Sequence, residues 1–311
     1  MQTILGAGGD ISTLLAKELT HYTDKIRLVA RKPQKVNNSD ELVAADLLDA
    51  TEVARAVSGS EVVYLTVGLK YDSRVWAAQW PQIMKNVIDA CIRYHAKLVF
   101  FDNVYSYAKI DVKDMTENCA INPATRKGRV RAQVVNMLDD AQKSRGLIAL
   151  IARCADFYGP ESKNGILNTL VLNNVAKGKK ANWLADVDKV HSFTYTPDAA
   201  KATAILGNTP SAYGQAWHLP TSAERLNGRD LIEMAGGVKD GKADFLLLPS
   251  WMLRFAGLFD RTIKELIEMQ YQYEQDYFFN SEKFCHAFGF TPTSYKIGIQ
   301  HVLEGKNLSP Q

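Results

Sequence analysis

The chain has 311 residues, 46% hydrophobic and 23% charged, with a formal net charge of +3. That composition excludes wholesale disorder, and so small a charge excess argues against nucleic acid, which needs a concentrated basic stripe. No run of about 18 apolar residues exists, so no membrane span is expected, and residues 1–5 enter a strand-like run without the features of a signal peptide.

The first half alternates short apolar runs with helical periodicity. Residues 3–5 read as a strand, and Ile11, Leu14, Leu15 and Leu19 then recur at helical spacing. Residues 26–30 form a second strand. A short helix over 51–57 is expected to turn Val53, Ala54 and Val57 inward. Residues 62–67 are a continuous apolar strand, followed by a helix marked by Ile83, Met84, Val87, Ile88 and Cys91. Residues 98–101 are again a strand; Val130, Val134, Val135, Leu138 and Ala141 mark a helix; residues 147–152 are one more strand. Continuous rather than alternating strands imply burial on both faces, and this pace of alternation implies a parallel sheet with right-handed crossovers. The expected fold is α/β, a Rossmann-type doubly wound parallel sheet with about six strands before residue 153.

Beyond Arg153 the texture changes to mixed helices, loops and short strands rich in aromatics, including Trp183, Trp217, Trp251, Tyr271, Tyr273, Tyr277, Phe278 and Phe279. Residues 1–153 are therefore expected as the first domain, with later segments such as 190–206 returning to it. Residues 154–311 are expected to be mainly a smaller α+β lobe, with a frayed polar tail over 306–311. Cys91, Cys119, Cys154 and Cys285 are scattered and form no C-x-x-C pair. Neither a disulfide framework nor a metal site is expected, and reduced thiols in a cytoplasm are the default.

The chemistry begins at Gly6-Ala7-Gly8-Gly9-Asp10-Ile11-Ser12, between the first strand and the first helix. A pyrophosphate needs close backbone approach and gains from the free N–H groups of a helix start. Small residues in this position point to a dinucleotide; Ser12 stands where a third glycine is usual. The second strand runs into Ala30-Arg31-Lys32-Pro33 with no acid to hold ribose hydroxyls. A guanidinium there can bind the extra phosphate of NADP, so NADP(H) is expected over NAD(H).

With these features the sequence resembles the extended short-chain dehydrogenase/reductases, the NAD(P)-dependent epimerase/dehydratase family. Ala45-Asp46-Leu47-Leu48-Asp49 looks like the family's D-L-x-D segment, and Thr66-Val67-Gly68 ends the strand whose backbone lies along the cofactor. Residues 153–160 look like R-x-x-N-V-Y-G-P; residues 191–200 and the endings Ser281-Glu282-Lys283 and Phe288 to Thr293 are also similar to family segments. The resemblance implies that Gly6, Gly8, Gly9, Asp10, Ile11, Arg31, Asp46, Leu47, Thr66, Val67, Gly68, Lys127, Cys154 and Phe157 contact cofactor. It implies substrate contact by Asp156 and His191, although Asp156 reads equally as a turn or cap residue. Helices near 80–95 and 127–145 imply a homodimer.

The departures concern proton transfer. Asn103 falls where the family has Ser or Thr. Asn122 to Lys127 matches N-P-Y-x-x-x-K with a residue missing, so Lys127 is present and Pro123 stands four positions earlier. Asn103 can donate a hydrogen bond but cannot shuttle a proton. The phenol is then expected from Tyr105 or Tyr107, which alternation would place on one face with Asn103, or the proton comes from water. His191 and His218 lie beside Phe193 and Trp217. Arg254 and Arg261 flank Phe255 and Phe259, and an amphipathic pattern of Ile263, Leu266, Ile267, Gln270 and Tyr271 suggests core packing. Two functions compete: an NADP(H)-dependent oxidoreductase or epimerase of a small carbonyl, alcohol or sugar-type substrate, and a catalytically silent NADP(H)-binding regulator or redox sensor.

Overall fold

The structure is a computed structural model; it describes all residues except 161, 164, 240, 242, 250, 253–260 and 306–311, and within Arg261–Ile267 it leaves the side chains of 261–263 undescribed. The expectations for Arg254, Phe255, Phe259, the side chains of Arg261 and Ile263, and the 306–311 tail lie outside the described residues. The chain divides into two compact units. Unit 1 comprises residues 1–106, 121–153 and 199–219; unit 2 comprises 107–120, 154–198 and 220–311.

Unit 1 holds a seven-stranded sheet: β1 (Gln2–Leu5), β2 (Ile26–Ala30), β3 (Glu41–Ala44), β4 (Val62–Leu65), β5 (Lys97–Asn103), β6 (Ala149–Cys154) and β10 (Ala216–His218). Their order is β10-β6-β5-β4-β1-β2-β3, and every pairing recorded in it is parallel. Gln2 pairs with Ile26 on one side and Val62 on the other, so β1 and β4 flank the point where strand order reverses. All four residues of β1 and of β4 are buried, which is why those strands are apolar throughout. Edge strand β3 has the exposure of an edge and no apolar alternation, so the sequence pattern did not reveal it.

The helices of unit 1 are α1 (Asp10–Glu18), α2 (Ala50–Val57), α3 (Ser73–Tyr94) and α4 (Arg126–Arg145). Asp49 caps α2 by accepting from the Thr51 and Glu52 amides at 2.8 and 2.9 Å. In α2 it is Val53, Ala56 and Val57 that are buried; Ala54 is half-buried, a shift of the inward face. Left-handed residues end the long helices: His95 after α3 and Gly146 after α4. One core cluster joins Ile83, Met84, Val87 and Ile88 of α3 with Val130, Val134 and Leu138 of α4.

Unit 2 holds two small parallel pairs, β7 (Asp156–Tyr158) with β9 (Phe193–Tyr195), and β8 (Ala181–Leu184) with β11 (Phe245–Leu248). Its core gathers Tyr158, Leu172, Trp183, Phe193, Leu231, Tyr295 and Ile299. The amphipathic pattern near 263–271 is only partly realised: Leu266 is 36% exposed and Glu265 is 3% exposed, while Gln270 and Tyr271 are buried in a separate short turn. Among the described residues no helix is long and apolar enough to cross a membrane.

Candidate functional site

The turn after β1 is fixed by backbone. The Gly6 and Ala7 amides donate to Val29 O at 2.9 and 3.0 Å, and the Thr66 amide donates to Leu5 O at 2.9 Å. Gly6 has φ +99°, and an added Cβ would lie 2.4 Å from Val67 Cα. No other residue fits between the β1 and β4 exits. Gly8 has φ +97°, but a Cβ there would meet no heavy atom within 4 Å. Its backbone therefore borders open space at the start of α1. Ser12 explains the missing third glycine: its hydroxyl donates to Gly9 O at 2.9 Å and accepts the Gly9 amide at 2.8 Å. Asp10 opens α1 and Ile11 is buried beneath it. An exposed pair of glycines, a positive φ and a helix N-terminus are what a pyrophosphate requires, so the residues fit a dinucleotide.

At the end of β2, Arg31 and Lys32 are exposed. The first acids that follow are committed elsewhere. Asp40 is buried and accepts from the Val36 and Asn37 amides at 2.9 and 2.6 Å, and Glu41 pairs with Arg27 at 3.0 Å. Asp46 is exposed, with Oδ1 accepting the Leu48 amide at 3.0 Å; Leu47 is buried. Gly68 is exposed on the β4 exit.

The β5 exit does not continue extended. The chain bends at Val104 and turns at Tyr105 and Ser106, so alternation does not put Asn103, Tyr105 and Tyr107 on one face. Asn103 Oδ1 accepts the Tyr105 amide at 3.0 Å, which occupies the side-chain oxygen and leaves the NH2 as the donor. Tyr105 is half-buried in unit 1, whereas Tyr107 is 1% exposed and belongs to unit 2. Helix α4 begins only at Arg126, with Thr125 Oγ1 accepting the Gly128 amide at 3.0 Å. Lys127 thus sits in the first turn, fully buried, while Pro123 lies outside the helix. Gly128 is pressed against the β5 exit: a Cβ there would lie 2.4 Å from Tyr105 O.

One residue at this place had no signal in the sequence. Asp72 caps α3, and Tyr71, just before it, puts its ring over Lys127 with Nζ 4.5 Å from the ring centroid. The Tyr71 and Tyr105 hydroxyls are 3.4 Å apart, and Tyr105 stacks on Trp76 with centroids 6.1 Å apart. The Tyr71 ring therefore stands over Lys127, and the Tyr105 phenol from the β5 exit stands beside the Tyr71 hydroxyl. Only the fold brings them there, because 34 positions separate them.

Below this cluster, Asp102 is buried between Arg131 (Nε 2.8 Å, with a second contact through Nη2) and Arg153 (Nη2 3.0 Å). Burial alone would raise its carboxyl, but the two guanidiniums outweigh that and hold it below the usual range. The Arg131 guanidinium also lies 4.4 Å over Trp80 and 4.8 Å over Phe100. This locks α4, β5 and β6 in one register.

In unit 2 a second polar centre forms. His191 Nε2 lies 3.0 Å from Asp156 Oδ2, and the Tyr273 hydroxyl donates to the same oxygen at 3.1 Å. The Asp156 amide donates to the Tyr277 hydroxyl at 3.2 Å. The imidazole is stacked between Tyr273 and Tyr277, with centroids 4.2 and 4.3 Å away, and Phe193 lies 4.6 Å from it. Burial first, and then the Asp156 charge, push the Tyr277 phenol up and raise Tyr271 to about 12. Cys154 is buried, Phe157 is half-buried, and His218 is fully buried in β10. Among the described residues no cluster of three or more His, Cys, Asp or Glu could hold a metal.

The sequence model of the NAD dependent epimerase/dehydratase family matches residues 3–218. None of the curated proteins matches the chain. Among solved structures, a dTDP-glucose 4,6-dehydratase from Streptomyces venezuelae with NAD bound is similar at TM-score 0.79 and 16% identity, covering 98% of this chain and 96% of that one. UDP-glucuronic acid 4-epimerase from Bacillus cereus in complex with UDP-glucuronic acid and NAD gives TM-score 0.79 at 15% identity, covering 98% of each. A Thermus thermophilus UDP-glucose 4-epimerase complex with NAD gives 0.73 at 15%, again covering 98% of each. The chain belongs to the NAD dependent epimerase/dehydratase family.

Proposed function

We propose that the protein is an NADP(H)-dependent oxidoreductase or epimerase acting on a small carbonyl, alcohol or sugar-type substrate. The observation that carries this is the buried Lys127 under the Tyr71 ring, with the Tyr105 hydroxyl beside that of Tyr71. The solved relatives are named for nucleotide-sugar substrates, which supports a sugar-type ligand.

Gly6, Gly8, Gly9 and the first turn of α1 would hold the pyrophosphate, and Arg31 would meet a ribose phosphate. The commitment of Asp40 and Glu41 to local partners supports NADP(H), since no acid is left to select the free ribose hydroxyl there. When bound, the nicotinamide supplies the hydride donor or acceptor. Lys127 would hold the adjoining ribose. Asn103, oriented by the Tyr105 amide, would donate a hydrogen bond to the substrate oxygen. Tyr105 would move the proton at that oxygen. The burial of Tyr107 in unit 2 supports Tyr105 over it.

The test is the change in NADPH absorbance across a panel of aldehydes, ketones and sugars, in the wild type and in Tyr105→Phe. Substrate-dependent oxidation that falls about 10²-fold or more in the variant is expected. Turnover unaffected by the substitution overturns the role of Tyr105. Nucleotide bound tightly, with no turnover across the panel, overturns the enzyme reading.

A further inference from the structure

A phenol that gives up its proton must have it returned before the next turnover. The polar groups of the β5 exit differ in whether they can return one to Tyr105. Asn103 cannot shuttle a proton. Asp102 is buried and stays ionised between Arg131 and Arg153. Ser106 Oγ is buried with no hydrogen-bond partner among the described residues, so no chain of hydrogen bonds leads from it. The Lys127 side chain is fully buried, so it does not itself meet water. Tyr71 differs from all of these. Its hydroxyl lies 3.4 Å from that of Tyr105, and either oxygen can donate. It is half-buried, in a segment whose Gly68, Lys70 and Arg74 are exposed.

One side chain fixes both phenols. Trp76 is 6% exposed, and its Nε1 donates to Lys70 O at 3.0 Å. The Tyr105 ring stacks on it at 18°, while the Tyr71 ring meets it edge-on at 85° with centroids 6.0 Å apart. Lys127 Nζ lies over the Tyr71 ring. Asp72, next in the chain, accepts the Arg74 and Val75 amides at 2.9 and 3.4 Å, which ties the Tyr71 segment to the start of α3. Rings held in this way keep their hydroxyls facing each other. The separation of 3.4 Å exceeds the usual hydroxyl pair of about 2.7–2.8 Å; catalytic hydrogen bonds commonly tighten in the reacting complex.

We propose that Tyr71 is a positioning residue for Tyr105: its hydroxyl holds the Tyr105 hydroxyl in place and returns its proton from water. This rests on the proposed function, in which Tyr105 moves the proton at the substrate oxygen and NADPH is the reductant. In carbonyl reduction the substrate carbon gains the hydride and its oxygen takes the Tyr105 proton; the Tyr105 O–H bond breaks and a phenolate remains. The Tyr71 O–H bond then breaks as its proton passes to that phenolate, and a solvent proton replaces it on Tyr71. The cycle consumes one proton from solvent and leaves both phenols as they began. Oxidation runs the same chain backwards.

The experiment uses the full chain and its Tyr71→Phe and Tyr105→Phe variants. On the protein alone, isotope labelling of the tyrosine Cζ carbons gives NMR lines, with that of Tyr105 assigned by its loss in Tyr105→Phe. Tyr71→Phe is expected to move the Tyr105 line, and an unmoved line overturns the contact. Turnover is then followed by NADPH absorbance with benzaldehyde, cyclohexanone and glucose, over a range of imidazole concentrations at fixed pH and ionic strength. In Tyr71→Phe, kcat is expected to fall about five-fold or more, with KM and NADPH affinity unchanged. Imidazole, a proton donor from solution, is expected to restore most of that loss and to leave the wild type as it was. An unchanged kcat, a loss that imidazole does not restore, or a loss that comes with weaker NADPH binding overturns the inference. If the wild type reduces one of the three compounds and Tyr71→Phe keeps pace with it, only this inference fails. If NADPH binds and none of the three is reduced, the proposed function fails and the relay fails with it.

Discussion

In unit 1 the surface that fits a dinucleotide is made of backbone: Gly6 against Val67, Gly8 facing open space, and the first turn of α1. In unit 2 the polar centre is made of side chains from three separated stretches, with His191 and Tyr273 meeting at one carboxylate oxygen of Asp156 and the Tyr277 ring stacked on the imidazole. A backbone site tolerates only glycine or small residues at fixed spacing, so it leaves a local trace in the sequence. A side-chain site leaves none, because residues 156 and 273 become neighbours only through packing. The β4 and β5 exits combine both kinds: Lys127 has a local motif, and Tyr71 does not.

The comparison can be broken most sharply at Asp102, which underlies the unit 1 site without touching solvent. Asp102→Ala would strand two buried guanidiniums and is expected to lower stability by about 3–5 kcal/mol, read by urea denaturation. The sign with pH follows from the lowered carboxyl. Asp102 contributes its stability above the ordinary carboxylate range and loses it as pH falls through its own lower value. Asp102→Asn should therefore flatten the acid limb of the stability profile; an unchanged limb would show that the carboxylate is not ionised in the fold.

Gly6 and Gly8 separate packing from conformation. Gly6→Ala meets Val67 and is expected to cost about 2–4 kcal/mol and to abolish NADPH binding. Gly8→Ala pays only for its positive φ, about 1–2 kcal/mol, and should weaken NADPH more than it weakens the fold. Equal melting shifts for the two variants would contradict the close approach at Gly6. The smallest effect is expected at Tyr71→Phe, which keeps the ring over Lys127 and removes one long hydroxyl contact: about 0.5 kcal/mol or less in stability. A several-fold fall in turnover without a change in NADPH affinity would tie the Tyr71 hydroxyl to proton movement rather than to holding Lys127.

Much of unit 1 was legible because doubly buried strands must be apolar throughout, as in β1, β4 and β6. Strand β3 escaped because an exposed edge strand imposes no such pattern. The alternation expected for Asn103, Tyr105 and Tyr107 failed because the chain turns at Tyr105 and Ser106, where Asn103 takes the Tyr105 amide. Asp46 and Asp49 were visible as a pair; their local work, one in a turn and one capping α2, follows from side-chain oxygens competing for nearby amides. The aromatic enclosure of His191 could not be read, since nothing in the spacing of Tyr273 and Tyr277 points to residue 191.

The central claim is that the glycine turn and Arg31 together hold NADP(H). Titration of the full chain with NADPH and with NADH, followed by fluorescence in the wild type and in Arg31→Ala, tests it directly. NADPH is expected to bind about 10–100-fold more tightly than NADH, with that preference lost in the variant. Equal affinities that the substitution leaves untouched would contradict the cofactor assignment, and binding of neither nucleotide would contradict the account of the turn itself.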